Sequence, residues 1–192
     1  MPNTASNVVS GRPLSTGGLL IAPLATALPT SAATNPNASF LSAGYIGEDG
    51  VTEGGDRSTE KIKAWGGDVV KIVQTEHSLT YQFTFIETLN STVLKTIYGD
   101  ANVTTTAATV STGTLHTVKV TSETLPHKSF IFEIKDGLAK VRIVVPDGQI
   151  TEVGEITYSD AEVIGYTVTI ECFPDATSVK AYKYMDNGIF SA

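Results

Sequence analysis

A single cysteine, a single tryptophan and two methionines are present among 192 residues, and only 17% of the side chains are charged. With Cys172 alone, no disulfide can form within the chain, so folding does not depend on an oxidising compartment. Cations are scarce, with 13 Lys and Arg against 20 Asp and Glu for a net charge of −7. Phosphate and anionic lipid are held by Lys and Arg, so a chain this acidic is a poor DNA or membrane binder. No apolar run reaches the ~18–20 residues that a bilayer-crossing helix needs. Residues 17–33 imitate a signal-peptide core, yet Arg12 is the only basic residue before it and Pro23 interrupts it; the expectation is that it is not a leader.

Catalytic signatures are missing as well. There is no G-x-G-x-x-G, Walker A, H-E-x-x-H or G-x-S-x-G pattern. His77, His116 and His127 stand apart from one another, without Cys, Asp or Glu at ligand spacing, so no zinc site is expected. Cys172 falls on the apolar parity of its segment and reads as a small core residue rather than a nucleophile. The acidic stretch GEDGVTEGGD lacks the alternating ligand series of a calcium loop and reads as solvated and flexible. Trp65, beside Gly66-Gly67, reads as a packing anchor. No cofactor, metal or catalytic residue is expected.

What the chain does have is threonine, 27 of them, with Val, Ile and regular Gly and Pro punctuation. β-Branched side chains suit a pleated surface and lose freedom in a helix. Strands are expected at 18–23, 40–46, 57–64, 68–76, 77–87, 114–121, 129–135, 138–145, 149–158, 162–173 and 178–184. The clearest alternation places Leu79, Tyr81, Phe83 and Phe85 on one face; another places Tyr166, Val168, Ile170 and Cys172 together. Asp136-Gly137 marks a hairpin, and Pro146-Asp147-Gly148 a strand stop. The period changes once: Leu89, Val93, Leu94, Ile97 and Tyr98 fall at helical spacing, with Thr88 or Asn90 as cap and Gly99 just past the end. A helix that short needs a sheet to lie against. Strands broken by turns at this spacing predict one mostly β domain, a sandwich or barrel with one flanking α-helix, over 18–184. An N-terminal arm (1–17) and a C-terminal tail (185–192) flank it.

Particular runs resemble a known family. Gly44-Tyr45-Ile46 with Glu48-Asp49-Gly50-Val51, then Lys63-Ala64-Trp65-Gly66-Gly67, then Glu87-Thr88-Leu89-Asn90 leading to Val93-Leu94-Lys95 and Tyr98-Gly99, are similar to the major tail (tail tube) protein of long, non-contractile bacteriophage tails, especially of actinobacteriophages. So are Ile21-Ala22-Pro23-Leu24 and Ala27-Leu28-Pro29. The resemblance covers residues 18–100; beyond Gly99 only the strand pattern agrees. It implies a structural virion protein, assembled in the bacterial host cytoplasm. Six copies would form a homo-hexameric ring closed by joined strands, with rings stacking into the tube through which double-stranded DNA is ejected. Tape measure protein, tail terminator and baseplate or tail-tip proteins would be its partners, with no membrane and no specific DNA binding.

On that resemblance, the extended loop 47–61 would bridge one ring to the next, through Gly47, Glu48, Asp49, Gly50, Val51, Thr52, Glu53, Gly54, Gly55, Asp56 and Arg57. The arm and the tail would add contacts. Glu60, Glu133, Glu152 and Glu155, with Glu53 and Asp56, are the candidate acids facing the lumen, where negative charge would keep DNA from sticking. Two alternatives stay open: another ring-forming virion component, such as a tail terminator or capsid decoration protein, and a carbohydrate-binding β-sandwich or adhesin using Trp65 and exposed tyrosines.

Overall fold

Alternating burial along a few strands builds the core. The computed structural model describes residues 7–14 and 17–190. In chain order the strands are β1 (Leu19–Pro23), β2 (Leu41–Ser42), β3 (Ile46–Gly54), β4 (Thr59–Lys63), β5 (Val69–Gln74), β6 (Thr80–Phe85), β7 (Val103–Thr106), β8 (Leu115–Val118), β9 (Lys128–Asp136), β10 (Ala139–Val153), β11 (Tyr166–Phe173) and β12 (Tyr182–Asp186). A helix, α1 (Ser91–Tyr98), and a 3-10 turn (Asp100–Asn102) lie between β6 and β7. An antiparallel sheet runs β2-β1-β9-β10-β11-β6-β3, with β12 also on β10; β4-β5 and β7-β8 form separate two-stranded pairs. This is a mostly β protein with one short α-helix among the described residues.

Tyr81, Phe83 and Phe85 on β6 and Tyr166, Val168, Ile170 and Cys172 on β11 all point into the core, as their alternation predicts. The sheet does not stay flat. β6 and β9 are three strands apart in the sheet, which at ~4.8 Å per step would separate them by roughly 14 Å. Yet the rings of Tyr81 and Phe132 lie 5.1 Å apart, and those of Phe83 and Phe132 5.5 Å. The sheet therefore folds over onto itself and packs aromatic against aromatic.

The fold-over is made in β10. Pro146-Asp147-Gly148, expected to end a strand, lies instead within a single strand of 15 residues. The register against β9 shifts between Val145 and Gly148. A proline has no N–H to give the ladder, and a bulge is where a strand tolerates that. Pro146 still uses its carbonyl, which accepts from Ser129 Oγ at 2.6 Å. The first half of β10 pairs with β9 and β12, and the second half with β11.

A smaller apolar cluster, Ala22, Phe40, Ile131 and Val144, lies on the other face of the β1-β9-β10 layer with Leu20 and Leu28 beside it. Glu133 is part of this covered face. Expected on a solvated lumen surface, it is only 6% exposed, and Arg142 donates to its carboxylate through Nε and Nη2, each at 2.7 Å. Arg142 Nη1 donates also to the carbonyls of Ser31 and Thr34, which fastens the 24–40 connection over the sheet.

The helix is shorter than its period suggests. Asn90 caps it, accepting from the Thr92 N–H at 2.9 Å, and the Gly99 N–H donates to Lys95 O at 3.1 Å. Val93, Leu94 and Ile97 are buried, whereas Leu89, expected on that stripe, precedes the cap and is exposed. In the expected arm, residues 10–14 are not free: Lys135 N–H donates to Arg12 O, Leu14 N–H to Glu133 O, and Ser10 N–H to Asp136. Residues 1–6 and 15–16 of the expected arm and 191–192 of the expected tail lie outside the described residues.

Removing one partner of a buried ion pair strands the other charge. Arg142→Ala is expected to cost about 3–5 kcal/mol in denaturant unfolding. Replacing both Arg142 and Glu133 by apolar residues should cost far less. Burial pushes the Cys172 thiol up to about 12. Iodoacetamide at pH 8 should therefore leave it unlabelled in the native protein and label it after denaturation.

Candidate functional site

The stretch expected to be an assembly loop begins as an edge strand. Gly47, Glu48, Asp49, Gly50, Val51, Thr52, Glu53 and Gly54 belong to β3, whose only strand partner among the described residues is β6. Its register slips between Ile46↔Phe85 and Val51↔Phe83, so residues 47–50 bulge, with Gly50 at φ 70. Gly55, Asp56 and Arg57 form a neck. Ser78 N–H donates to Asp56 O at 2.9 Å, Asp56 N–H to Ser78 Oγ at 2.7 Å, and Arg57 to Gln74 at 2.9 Å. At Gly55 a Cβ would stand 2.4 Å from the Ser78 carbonyl oxygen, so no other residue fits this pass.

The neck carries the β4-β5 hairpin out of the body. Its turn is Trp65-Gly66-Gly67, where both glycines take positive φ. Trp65, expected as a packing anchor, is 106% exposed at the tip. Ile62, Val69, Val70 and Ile72 are exposed too. Cross-strand pairing explains why: Lys61 faces Ile72 and Lys71 faces Ile62, so each face of the hairpin mixes an apolar chain with a cation and neither can become core. Fully burying each of these aliphatic side chains would contribute about 1.5–3 kcal/mol, so a partner that covered the hairpin would gain from it.

A second surface is the outer face of β3-β6-β11 and the second half of β10. Cross-strand pairs place Thr52 with Gln82, Thr84 with Thr167, Gln82 with Thr169, and Thr169 with Glu152 on this face. The hydroxyls of Thr84 and Thr167 bond at 2.8 Å. At one end of this face Lys180 lies 3.9 Å from Glu171 and Gln149 Nε2 donates to the Leu125 carbonyl, so connections reach it there; over the stretch of Gln82, Thr84, Thr167 and Thr169 none is fastened as 24–40 is over the opposite layer. Both of its edges are open. Among the described residues β3 has no outer strand neighbour, and beyond Gly148 the second half of β10 has no strand on the side away from β11.

The candidate acids do not come together. Glu152 lies on the threonine-rich face, and Glu155 is exposed in the loop that follows. Glu60 is on the hairpin and Asp56 in its neck, where Ser58 Oγ donates to it at 2.7 Å. Glu53 pairs in register with Tyr81 and points to the core side. It accepts from Tyr81 OH at 3.0 Å and meets Lys183 at 2.6 Å, closing the seam between β3 and β12. Burial, and then this carboxylate, push the Tyr81 phenol well above its ordinary range.

The histidines stay apart. His116 Nδ1 lies 3.0 Å from Thr105 Oγ1, and His127 Nδ1 2.5 Å from Asp147 against the Phe173 ring. Among the described residues no three His, Cys, Asp or Glu side chains gather as a metal set.

A projecting apolar hairpin, an open-edged sheet and a polar bare face define a subunit built to be joined to others. The sequence matches the family described as "Phage tail tube protein" over residues 1–191, and the chain belongs to that family. It is a structural component of the phage tail, within the virion, and not an enzyme. No curated protein matches the sequence. Among solved structures it is similar to the tube-terminating cap of the anti-feeding prophage, seen by cryo-electron microscopy. The two are 8% identical with a TM-score of 0.49, over 97% of this chain and 100% of that one.

Deleting 47–61 would remove β3 along with half the hairpin. The informative deletion replaces 57–76 by a short glycine turn between Asp56 and His77. Because those residues pack on nothing within the subunit, the stability of the body should change by no more than about 0.5 kcal/mol in denaturant. Tubes should be absent from the same preparation by electron microscopy.

Proposed function

We propose that six copies close into a ring by pairing the free edge of β3 in one copy with the free edge of the second half of β10 in the next. Rings stack through the β4-β5 hairpin, the arm and the tail into a long, non-contractile tube of the actinobacteriophage type. DNA leaves through its channel. The number six, the non-contractile tail and the host class follow from the resemblance of residues 18–100. The same resemblance supplies the partners: tape measure protein, tail terminator and baseplate or tail-tip proteins.

The observation that carries this reading is a four-stranded sheet with two open edges and a bare polar face. An open edge is a hazard to a monomer, and edge-to-edge closure in a ring removes it. The bare face then lines the channel. Threonine hydroxyls and Gln82 offer no cation to a phosphate, Lys180 is held beside Glu171, Glu152 adds negative charge, and DNA can slide. Glu155 is at the channel's end. Glu133 and Glu53 are no longer candidates for the lining, since each is committed to a pair within the subunit.

Purified protein at high concentration should show annular and tubular particles by negative-stain microscopy; a stable monomer at millimolar concentration would contradict the ring. Gln82→Lys with Thr169→Lys should leave tube assembly intact. Phage carrying both should eject DNA more slowly, with the defect shrinking as salt rises. Normal ejection by that phage would take the bare face out of the channel.

A further inference from the structure

The hairpin and one other exposed segment are complementary, and the sheet holds them at opposite ends. The hairpin, residues 59–74, carries Lys61, Lys63 and Lys71 with the acids Glu60 and Asp68, around the exposed Ile62, Trp65, Val69 and Val70. Residues 152–163 carry Glu152, Glu155, Asp160 and Glu162 and no Lys, Arg or His, around the exposed Val153, Tyr158 and Val163. Among the described residues none of these three lysines or four acids has an ion-pair partner in its own chain. Both segments thus present apolar side chains set among charges, with three unpaired lysines on the hairpin and four unpaired acids and no cation on the loop.

Register fixes where each one leaves the sheet. The hairpin departs from Gly54 and returns towards Thr80, which pair with each other and, through Thr80, with Glu171. The acidic loop departs from Val153, level with Val168, and returns at Tyr166, which pairs with Phe85. Those are the two ends of β6, a six-residue strand and so roughly 20 Å long. The hairpin points away from the acidic loop of its own chain, so the two can meet only between copies. A contact between different surfaces of identical chains is heterologous and repeats without closing when the copies are related along the strand direction.

We infer that the β4-β5 hairpin of one copy seats on the 152–163 segment of a second copy placed end to end with it. This rests on the ring-stacking reading above and names its acceptor. Trp65 and Val70 lie against Tyr158 and Val163, and the hairpin lysines face Glu155, Asp160 and Glu162. The contact joins rings axially, whereas the β3 and β10 edges join copies within a ring.

Carbodiimide treatment of assembled tubes, followed by peptide mass spectrometry, should yield peptides holding Lys61, Lys63 or Lys71 amide-linked to the peptide of residues 152–163. A charge swap tests the same contact without chemistry. K61E/K63E/K71E should lower tube yield about tenfold, as should E155K/D160K/E162K, since three exposed pairs become repulsive. The chain carrying both sets should recover to within about twofold. Thermal melting of each variant should match the parent, because every substituted side chain is exposed. Hairpin lysines coupled only to other acids, or a combined variant as deficient as either half, would overturn the inference while leaving tubes in place. Absence of tubes from the parent protein itself would instead overturn the ring-and-tube reading.

Discussion

The bend of β10 at Pro146 is the constraint on which the rest of this structure depends. A single strand serves two layers: its first half stands between β9 and β12, and its second half pairs with β11. The bulge lets the proline forgo a ladder bond, and Ser129 satisfies its carbonyl. Because the strand turns there, Phe132 of one layer reaches Tyr81 and Phe83 of the other, and the core closes. The bend also decides which surfaces are left over. It carries the second half of β10 clear of β9, and so creates one of the two open edges; β3, at the far side of β6, is the other.

The two outer faces are treated differently, and that difference has functional content. Over β1-β9-β10 the 24–40 connection is fastened by Arg142, whose own charge is neutralised by Glu133 in the same buried pair. Polar groups inside are satisfied, and no buried side-chain nitrogen or oxygen among the described residues lacks a partner. Over β3-β6-β11 Lys180 and Leu125 reach only the Glu171 and Gln149 end among the described residues, and beyond it Thr52, Thr84, Thr167 and Thr169 face outward. Apolar surface was spent on the core and on the hairpin, not on this face. On the proposed reading that division suits a conduit: one side is sealed, and the other is a threonine face whose one nearby cation, Lys180, lies beside Glu171.

Much of this was legible in the sequence where a pattern was local. The alternation of Tyr81, Phe83 and Phe85, and of Tyr166 through Cys172, gave the core strands. The end of α1 at Gly99 was legible and its start was narrowed to Thr88 or Asn90, of which the structure uses Asn90, since capping depends on residues within a turn of each other. The candidate site was less legible. The first half of the 47–61 stretch is sheet rather than loop, and the projecting hairpin that follows it extends to residue 74. Trp65 and the Val69-Val70-Lys71-Ile72 run look like core by hydropathy. Only the register, which sets Lys61 across from Ile72 and Lys71 across from Ile62, shows that neither face can be buried in the subunit. Glu133 was misplaced for a related reason. Parity says which residues share a face, not that a connection 100 residues earlier in the chain folds over it.

The central claim is that the hairpin and the open sheet edges are contact surfaces completed by other copies of this chain. A reconstruction of the assembled tube by cryo-electron microscopy, at a resolution that shows side chains, tests it most directly. The account predicts Thr84, Thr167 and Glu152 on the channel wall, a continuous β-ladder crossing each subunit boundary from β3 to β10, and Trp65 buried in the next ring. A tube in which Trp65 stands in solvent on the outer surface, with β3 unpaired and the threonine face outward, would contradict it.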